Sequence, residues 1–159
     1  MIKTEQCEPA LNTTWLFVYG TLRPGQANFS SIEKLVVAHQ PATIEGELID
    51  LGAFPALVPG HGIVVGDLLT LQPEALEITD RIEGYQPEHP SNLYDRREVV
   101  VTLTDGTIER AWTYFFAHPE RLTGHPKALV GQRDGRRLFT WPINAGDSLP
   151  KSQQIESKS

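Results

Sequence analysis

Apolar and polar positions along the chain fall into short runs separated by glycine and proline. Trp15-Leu16-Phe17-Val18-Tyr19 is continuous, aromatic and aliphatic, the composition of a buried strand. It breaks at Gly20, and Pro24-Gly25 adds a second interruption. Ala42 to Asp50 alternates loosely and reads as a strand, in which Gly46 marks a bulge or a close backbone approach. Phe54 to Gly60 is a short extended piece bracketed by Pro55 and Pro59, residues that do not belong in a central ladder. Ile63 to Leu71 is a further, mostly buried strand. Tyr94 to Leu103 and Thr107 to Phe116 form a hairpin across Asp105-Gly106. Beyond Phe116 the pattern weakens to a helical turn over 118–122, and Leu129 to Trp141 shows no clear period.

Two stretches carry helical signals. Ser30 and Glu33 have capping-box spacing, which predicts a short helix through about Val37. The rival reading of Ser30 or Ser31 as a nucleophile lacks the surrounding Gly-x-Ser-x-Gly elbow. A second helix starts at Pro73, a favoured first helical residue, and runs to Glu83, with Gly84 at the left-handed position past its end. At about 100° per residue, Ala75, Leu76, Ile78, Thr79 and Ile82 share one arc, while Glu74, Glu77, Asp80 and Arg81 face the opposite way. About six strands with two or three short helices predict a single α+β domain on a curled or barrel-like sheet. Its expected bounds are 14–145, between a flexible N-terminal arm over 1–13 and a disordered, polar tail over 146–159.

Composition narrows the function classes. The chain has 159 residues, enough for one domain with a substantial core. Its net charge of −6 argues against a general nucleic-acid binder, and Arg133, Arg136 and Arg137 read as a solvated hairpin tip. No apolar run approaches the roughly 18–20 residues that span a membrane. The first dozen residues lack the apolar stretch of a secretory signal, and Cys7 is the only cysteine, so a cytoplasmic location is expected. Cys7 falls in the arm and is not read as a nucleophile. The five histidines are scattered through loops without ligand spacing, so no metal is expected. Gly20 to Gly25 has the glycine spacing of a phosphate loop, but Gln26-Ala27 stands where Lys-Ser/Thr should be.

Two features carry the candidate chemistry. A strand that runs straight into a glycine loop leaves successive N–H groups unpaired, and such groups can hold an anion. Glu83 is the second feature, because it falls on the apolar arc of its helix, between Thr79 and Leu76. A carboxylate aimed at a core is costly unless paired, and its pKa should rise, as acid–base catalysis requires. Two plainer readings stand beside this one. Glu83 could swing out to water from the last turn, or it could pair with an arginine such as Arg96.

Val18-Tyr19-Gly20-Thr21-Leu22-Arg23 and the later Ile82-Glu83-Gly84-Tyr85 resemble the γ-glutamylcyclotransferase-like superfamily, which includes the AIG2-like proteins and the γ-glutamylamine cyclotransferases. Phe54-Pro55-Ala56-Leu57-Val58, Tyr94-x-Arg96 and Ala111-Trp112-Thr113-Tyr114 support the resemblance, which extends over about Trp15 to Phe116. It implies a small mixed β-barrel flanked by short helices, with a cavity at one end. It further implies that the amides of Tyr19, Gly20, Thr21 and Leu22 bind the substrate's α-carboxylate, that Glu83 is the general acid/base, and that Tyr114 lines the pocket. Tyr19 and Tyr114 can equally be core aromatics, and Arg23 either helps hold a carboxylate or lies on the surface. The Gly-Asp-Trp-like C-terminal segment of many members is not evident; Leu138-Phe139-Thr140-Trp141 is its candidate stand-in.

The implied reaction turns a γ-glutamyl amide into 5-oxoproline and a free amine. The substrate's own α-amine attacks its γ-carbonyl, so no protein nucleophile, metal or cofactor is required. The implied partner is a small γ-glutamyl molecule, and the oligomeric state is left open. The alternative is a non-catalytic carboxylate-binding module on the same fold.

Overall fold

The structure, a computed structural model, describes residues 12–142. The arm therefore lies outside the described residues except for Asn12 and Thr13, and the tail lies wholly outside them. The described residues form seven strands: β1 (Thr14–Val18), β2 (Val36–Asp50), β3 (Pro55–Leu71), β4 (Tyr94–Leu103), β5 (Ile108–Phe116), β6 (Leu129–Arg133) and β7 (Arg136–Phe139). One α-helix, α1 (Ala75–Glu83), lies between β3 and β4. Short 3-10 turns occupy Phe29–Ser31, Glu33–Leu35 and Pro119–Leu122. No helix among the described residues is long and apolar enough to cross a membrane.

Strands β1, β5, β4, β2 and β3 follow one another in the sheet, and β1 pairs back onto β3 to close a five-stranded barrel. The barrel is mixed, because β1 runs parallel to β5 and antiparallel to β3. The β6–β7 hairpin extends the sheet by pairing β7 in parallel with β3. This is the α+β barrel expected from the sequence, with one α-helix and three 3-10 turns among the described residues where the sequence predicts two or three short helices.

Alternation along each strand builds two apolar layers. Phe17, Leu57, Val64, Leu68, Val101, Ala111 and Phe115 point into the barrel. Leu16, Val18, Leu69, Tyr94, Tyr114 and Phe116 point the other way, into a layer that includes Ala75 of α1. β1 is thus buried on both faces, which accounts for its unbroken apolar run.

The pieces expected over 54–60 and 63–71 form one strand. Between the pairs Glu45–Ile63 and Glu47–Val58, β3 takes five steps where β2 takes two. The three extra residues swap the parity of β3, so that odd-numbered Leu57 and even-numbered Val64 both face the barrel. Pro59 sits in this bulge and Pro55 is the strand's first residue, places where no ladder N–H is needed. Gly46 lies opposite the bulge, and a Cβ there would come within 3.2 Å of the Val58 carbonyl oxygen. The close approach read from the sequence is present.

Three further expectations are corrected. The helix expected from Ser30 to Val37 is two 3-10 turns, and neither has a side-chain cap. The β-branched pair Val36-Val37 instead opens β2, leaving too short a stretch to propagate an α-helix. α1 begins at Ala75 rather than Pro73, with Glu74 at the cap position. Leu129 to Trp141, which shows no clear period in sequence, contains β6 and β7, turning at Asp134-Gly135.

Candidate active site

The loop after β1 is held in place by the groups that do not face the pocket. The Gly20 carbonyl accepts from the Arg23 N–H at 3.0 Å, and the Thr21 carbonyl accepts from the Asn28 N–H at 2.8 Å. Asn28 Nδ2 also donates to Thr21 Oγ1 at 2.9 Å. The N–H groups of Gly20, Thr21 and Leu22 donate to no acceptor among the described residues. They form a row of free donors at the end of a buried strand, the arrangement that binds anions. Gly20 is needed for packing, because a Cβ there would lie 2.7 Å from the Pro55 ring.

Arg23 neither reaches the pocket nor lies loose on the surface. Its Nε meets Asp67 Oδ2 at 2.8 Å, and its Nη1 donates to the Trp141 carbonyl at 3.1 Å and to Thr140 Oγ1 at 3.3 Å. It ties the loop to β3 and to the residues that follow β7. Trp141 also lies against Gly20, within 3.8 Å of a Cβ built there, so the residues after β7 brace the loop.

α1 brings Glu83 to the same place. Ala75 and Thr79 are buried, and Leu76, Ile78 and Ile82 pack against the outer layer of the barrel. Gly84 then turns left-handed at φ 69°, ending the helix as its sequence position predicts. The result is a small, partly open pocket lined by Glu83 and by Tyr19, Gly20, Thr21 and Leu22 of the loop. Phe17 and Val18 extend that wall, and Phe54, Pro55, Tyr94 and Tyr114 complete it. All six residues singled out from the sequence thus share one cavity.

The Glu83 carboxyl has no hydrogen-bond or ion-pair partner among the described residues. Burial alone lifts its pKa from the ordinary 4.5 to about 7. It neither swings free into water nor pairs with Arg96. Arg96 instead meets Asp80 Oδ1 at 3.0 Å. Asp80, expected on the solvated face of α1, is turned inward, and its side chain is 19% exposed. It lies one turn before Glu83, at the border of the apolar arc, where a cation on β4 can reach it.

Three tyrosines frame the pocket, and their hydroxyls already donate. Tyr19 donates to the Tyr114 carbonyl at 2.5 Å, and Tyr94 donates to the Pro55 carbonyl at 2.6 Å. Tyr114 donates to Asp80 Oδ1 at 2.6 Å and lies 2.7 Å from Thr79 Oγ1. Burial, reinforced by nearby negative charge or by the bond to Asp80, pushes all three pKa values up, so all three are protonated at neutral pH. Tyr94, Phe54 and Pro55 also line the pocket, although the sequence reading names them only for the family resemblance that their segments support. Their appearance in segments that resemble the family is the signal that could have promoted them. No group of three or more acidic, histidine or cysteine residues among those described is placed to hold a metal.

A small mixed barrel whose mouth joins free amides to an unpaired carboxyl suits acid–base chemistry on a small anionic molecule. The chain belongs to the γ-glutamyl cyclotransferase, AIG2-like family, whose model matches residues 16–134. It is 35% identical over 109 residues to the γ-L-glutamyl-butirosin B γ-glutamyl cyclotransferase of Niallia circulans, covering 67% of this chain and 69% of that one. A mouse AIG2-like protein is similar in structure, with a TM-score of 0.59 and 25% identity over 73% of this chain and 86% of the mouse chain. Bacillus subtilis YkqA is similar at a TM-score of 0.54 and 26% identity over 66% of this chain, but the chain spans only 36% of that longer protein. The protein is thus an enzyme of the γ-glutamyl cyclotransferase kind.

Proposed function

We propose that the protein cyclises a γ-glutamyl amide to 5-oxoproline and releases the free amine, with Glu83 as the general acid/base. The observation that carries this reading is the solitary Glu83 carboxyl, poised near neutrality in the same pocket as the free N–H groups of Gly20, Thr21 and Leu22. Those amides hold the substrate's α-carboxylate and set its α-nitrogen within reach of Glu83. Ionised Glu83 takes a proton from the α-ammonium, and the freed amine attacks the γ-carbonyl to close a five-membered ring. Protonated Glu83 then returns that proton to the departing nitrogen as the C–N bond breaks, and the ionised carboxyl takes the second proton from the new ring nitrogen and passes it to the released amine, so that the lactam forms neutral and the amine leaves as an ammonium. One carboxyl performs these transfers in turn, a contribution of about 10²–10⁴-fold.

The developing oxyanion needs a donor. Because the hydroxyls of Tyr19, Tyr94 and Tyr114 donate within the protein, the role falls to a backbone N–H of the loop, and one such donor is worth about 3–4 kcal/mol. The tyrosines serve as walls that keep water from the carboxyl and shape the glutamyl end of the site.

The test is release of 5-oxoproline from a panel of γ-glutamyl amino acids, γ-glutamyl amines and glutathione. γ-Glutamyl-butirosin B belongs in the panel because the Niallia circulans relative is named for it. Stoichiometric 5-oxoproline and free amine from at least one compound is the expected result. A fully intact panel would return the protein to the carboxylate-binding alternative.

A further inference from the structure

Asp80 is a half-buried anion that the proposed reaction does not use, and it is paired with a half-buried cation. Arg96 approaches it at 3.0 Å as an ion pair, although the Nε–H is not aligned for a hydrogen bond. The Arg96 guanidinium lies between two rings, 4.7 Å from the Trp112 centroid and 5.5 Å from that of Tyr85. The same Asp80 oxygen accepts the Tyr114 hydroxyl at 2.6 Å, and that hydroxyl also meets Thr79 on α1. One oxygen atom therefore joins the last turns of α1 to β4 and to β5. Asp80 and Glu83 stand three residues apart, which makes them neighbours on the helix surface.

We propose, building on the assignment of Glu83 as acid/base, that Asp80 and Arg96 are positioning residues for the reaction. The pair clamps the Glu83 end of α1 against the barrel, and Arg96 cancels the charge that Asp80 would otherwise set beside the reacting carboxyl. The surrounding groups leave this task to the pair. Facing the pocket, Tyr19 at the end of β1, Tyr94 on β4 and Tyr114 on β5 are protonated and neutral. β3 contributes Pro55, which does not titrate, and behind the loop Arg23 and Asp67 neutralise each other at 2.8 Å. Burial is accordingly the one cause that lifts Glu83, even with a carboxylate one turn away.

The two partners should act on Glu83 in opposite directions. Asp80→Asn keeps an acceptor for Tyr114 but leaves Arg96 without its counter-charge, which favours ionised Glu83. Arg96→Gln keeps a planar group between the rings but leaves Asp80 as a bare anion, which disfavours it. The measurement is the pH dependence of kcat/KM for 5-oxoproline release, together with a ¹³C NMR titration of the Glu83 carboxyl, assigned by its loss in Glu83→Gln. The Glu83 midpoint is expected to move down by about one pH unit in Asp80→Asn and up by about one in Arg96→Gln. The double variant should return to within about 0.3 of the wild-type value. A purely structural clamp would lower activity without opposed shifts, so midpoints that stay put, or that move the same way, overturn the proposal. The isosteric Asp80→Asn decides the matter alone if Arg96→Gln does not fold. If the wild-type rate profile lacks a Glu83 limb, the acid/base assignment is what fails, and the NMR midpoints still judge the clamp.

Discussion

At the scale of single residues, the role proposed for Glu83 sets function against stability. The folded protein holds its carboxyl at a pKa of about 7 against an ordinary 4.5. Between those values the unfolded chain has released the proton and the folded chain has kept it, so stability falls as pH rises through this window. The difference corresponds to about 3 kcal/mol once pH exceeds 7. Glu83→Gln removes this liability. Its stability relative to wild type, measured by urea unfolding, should improve by about 2–3 kcal/mol between pH 5 and pH 8. Parallel stability curves for the two proteins across that range would show that the carboxyl is not desolvated in the folded state. Asp80 teaches the complementary lesson, because an acid at the edge of an apolar arc reads as solvated until the cation facing it is known.

At the scale of elements, the β6–β7 hairpin is the part with the weakest sequence signal, yet it is built into the barrel. Phe139 is fully buried, and a Cβ on Gly62 in the β3 bulge would lie only 2.5 Å from its ring. Immediately after β7, Thr140 and the Trp141 carbonyl accept from Arg23 of the loop after β1. The hairpin therefore braces the loop as well as covering the core. Phe139→Ala is expected to cost about 3–5 kcal/mol in denaturant unfolding, as for other buried aromatic truncations. A loss below about 1 kcal/mol would mean that the hairpin is a peripheral addition. Its four- and five-residue strands are too short for periodicity to reveal. The β4–β5 hairpin, with ten and nine residues around Asp105-Gly106, is legible at once.

At the scale of the whole molecule, the legible features are those decided locally. The apolar run before Gly20, the left-handed Gly84 and the misplaced Glu83 need no tertiary context. Ring closure depends on β1 meeting both β3 and β5, pairings between residues some fifty to one hundred positions apart that no local pattern encodes. The three-residue bulge in β3 hides for a related reason, since it matters only through the parity it restores against β2. The family resemblance connects loop and glutamate before the fold is known, whereas Tyr94, Pro55 and the Asp80–Arg96 pair emerge only when the barrel brings them together. The central claim is that this convergence makes Glu83 the group that moves the proton. It is tested most directly by kcat/KM for 5-oxoproline release by wild type and Glu83→Gln, with folding checked by circular dichroism. The wild-type profile should rise with pH through a midpoint near 7, and the folded variant should lose about 10²–10⁴-fold across that range. A folded Glu83→Gln protein with near-wild-type activity would contradict the account.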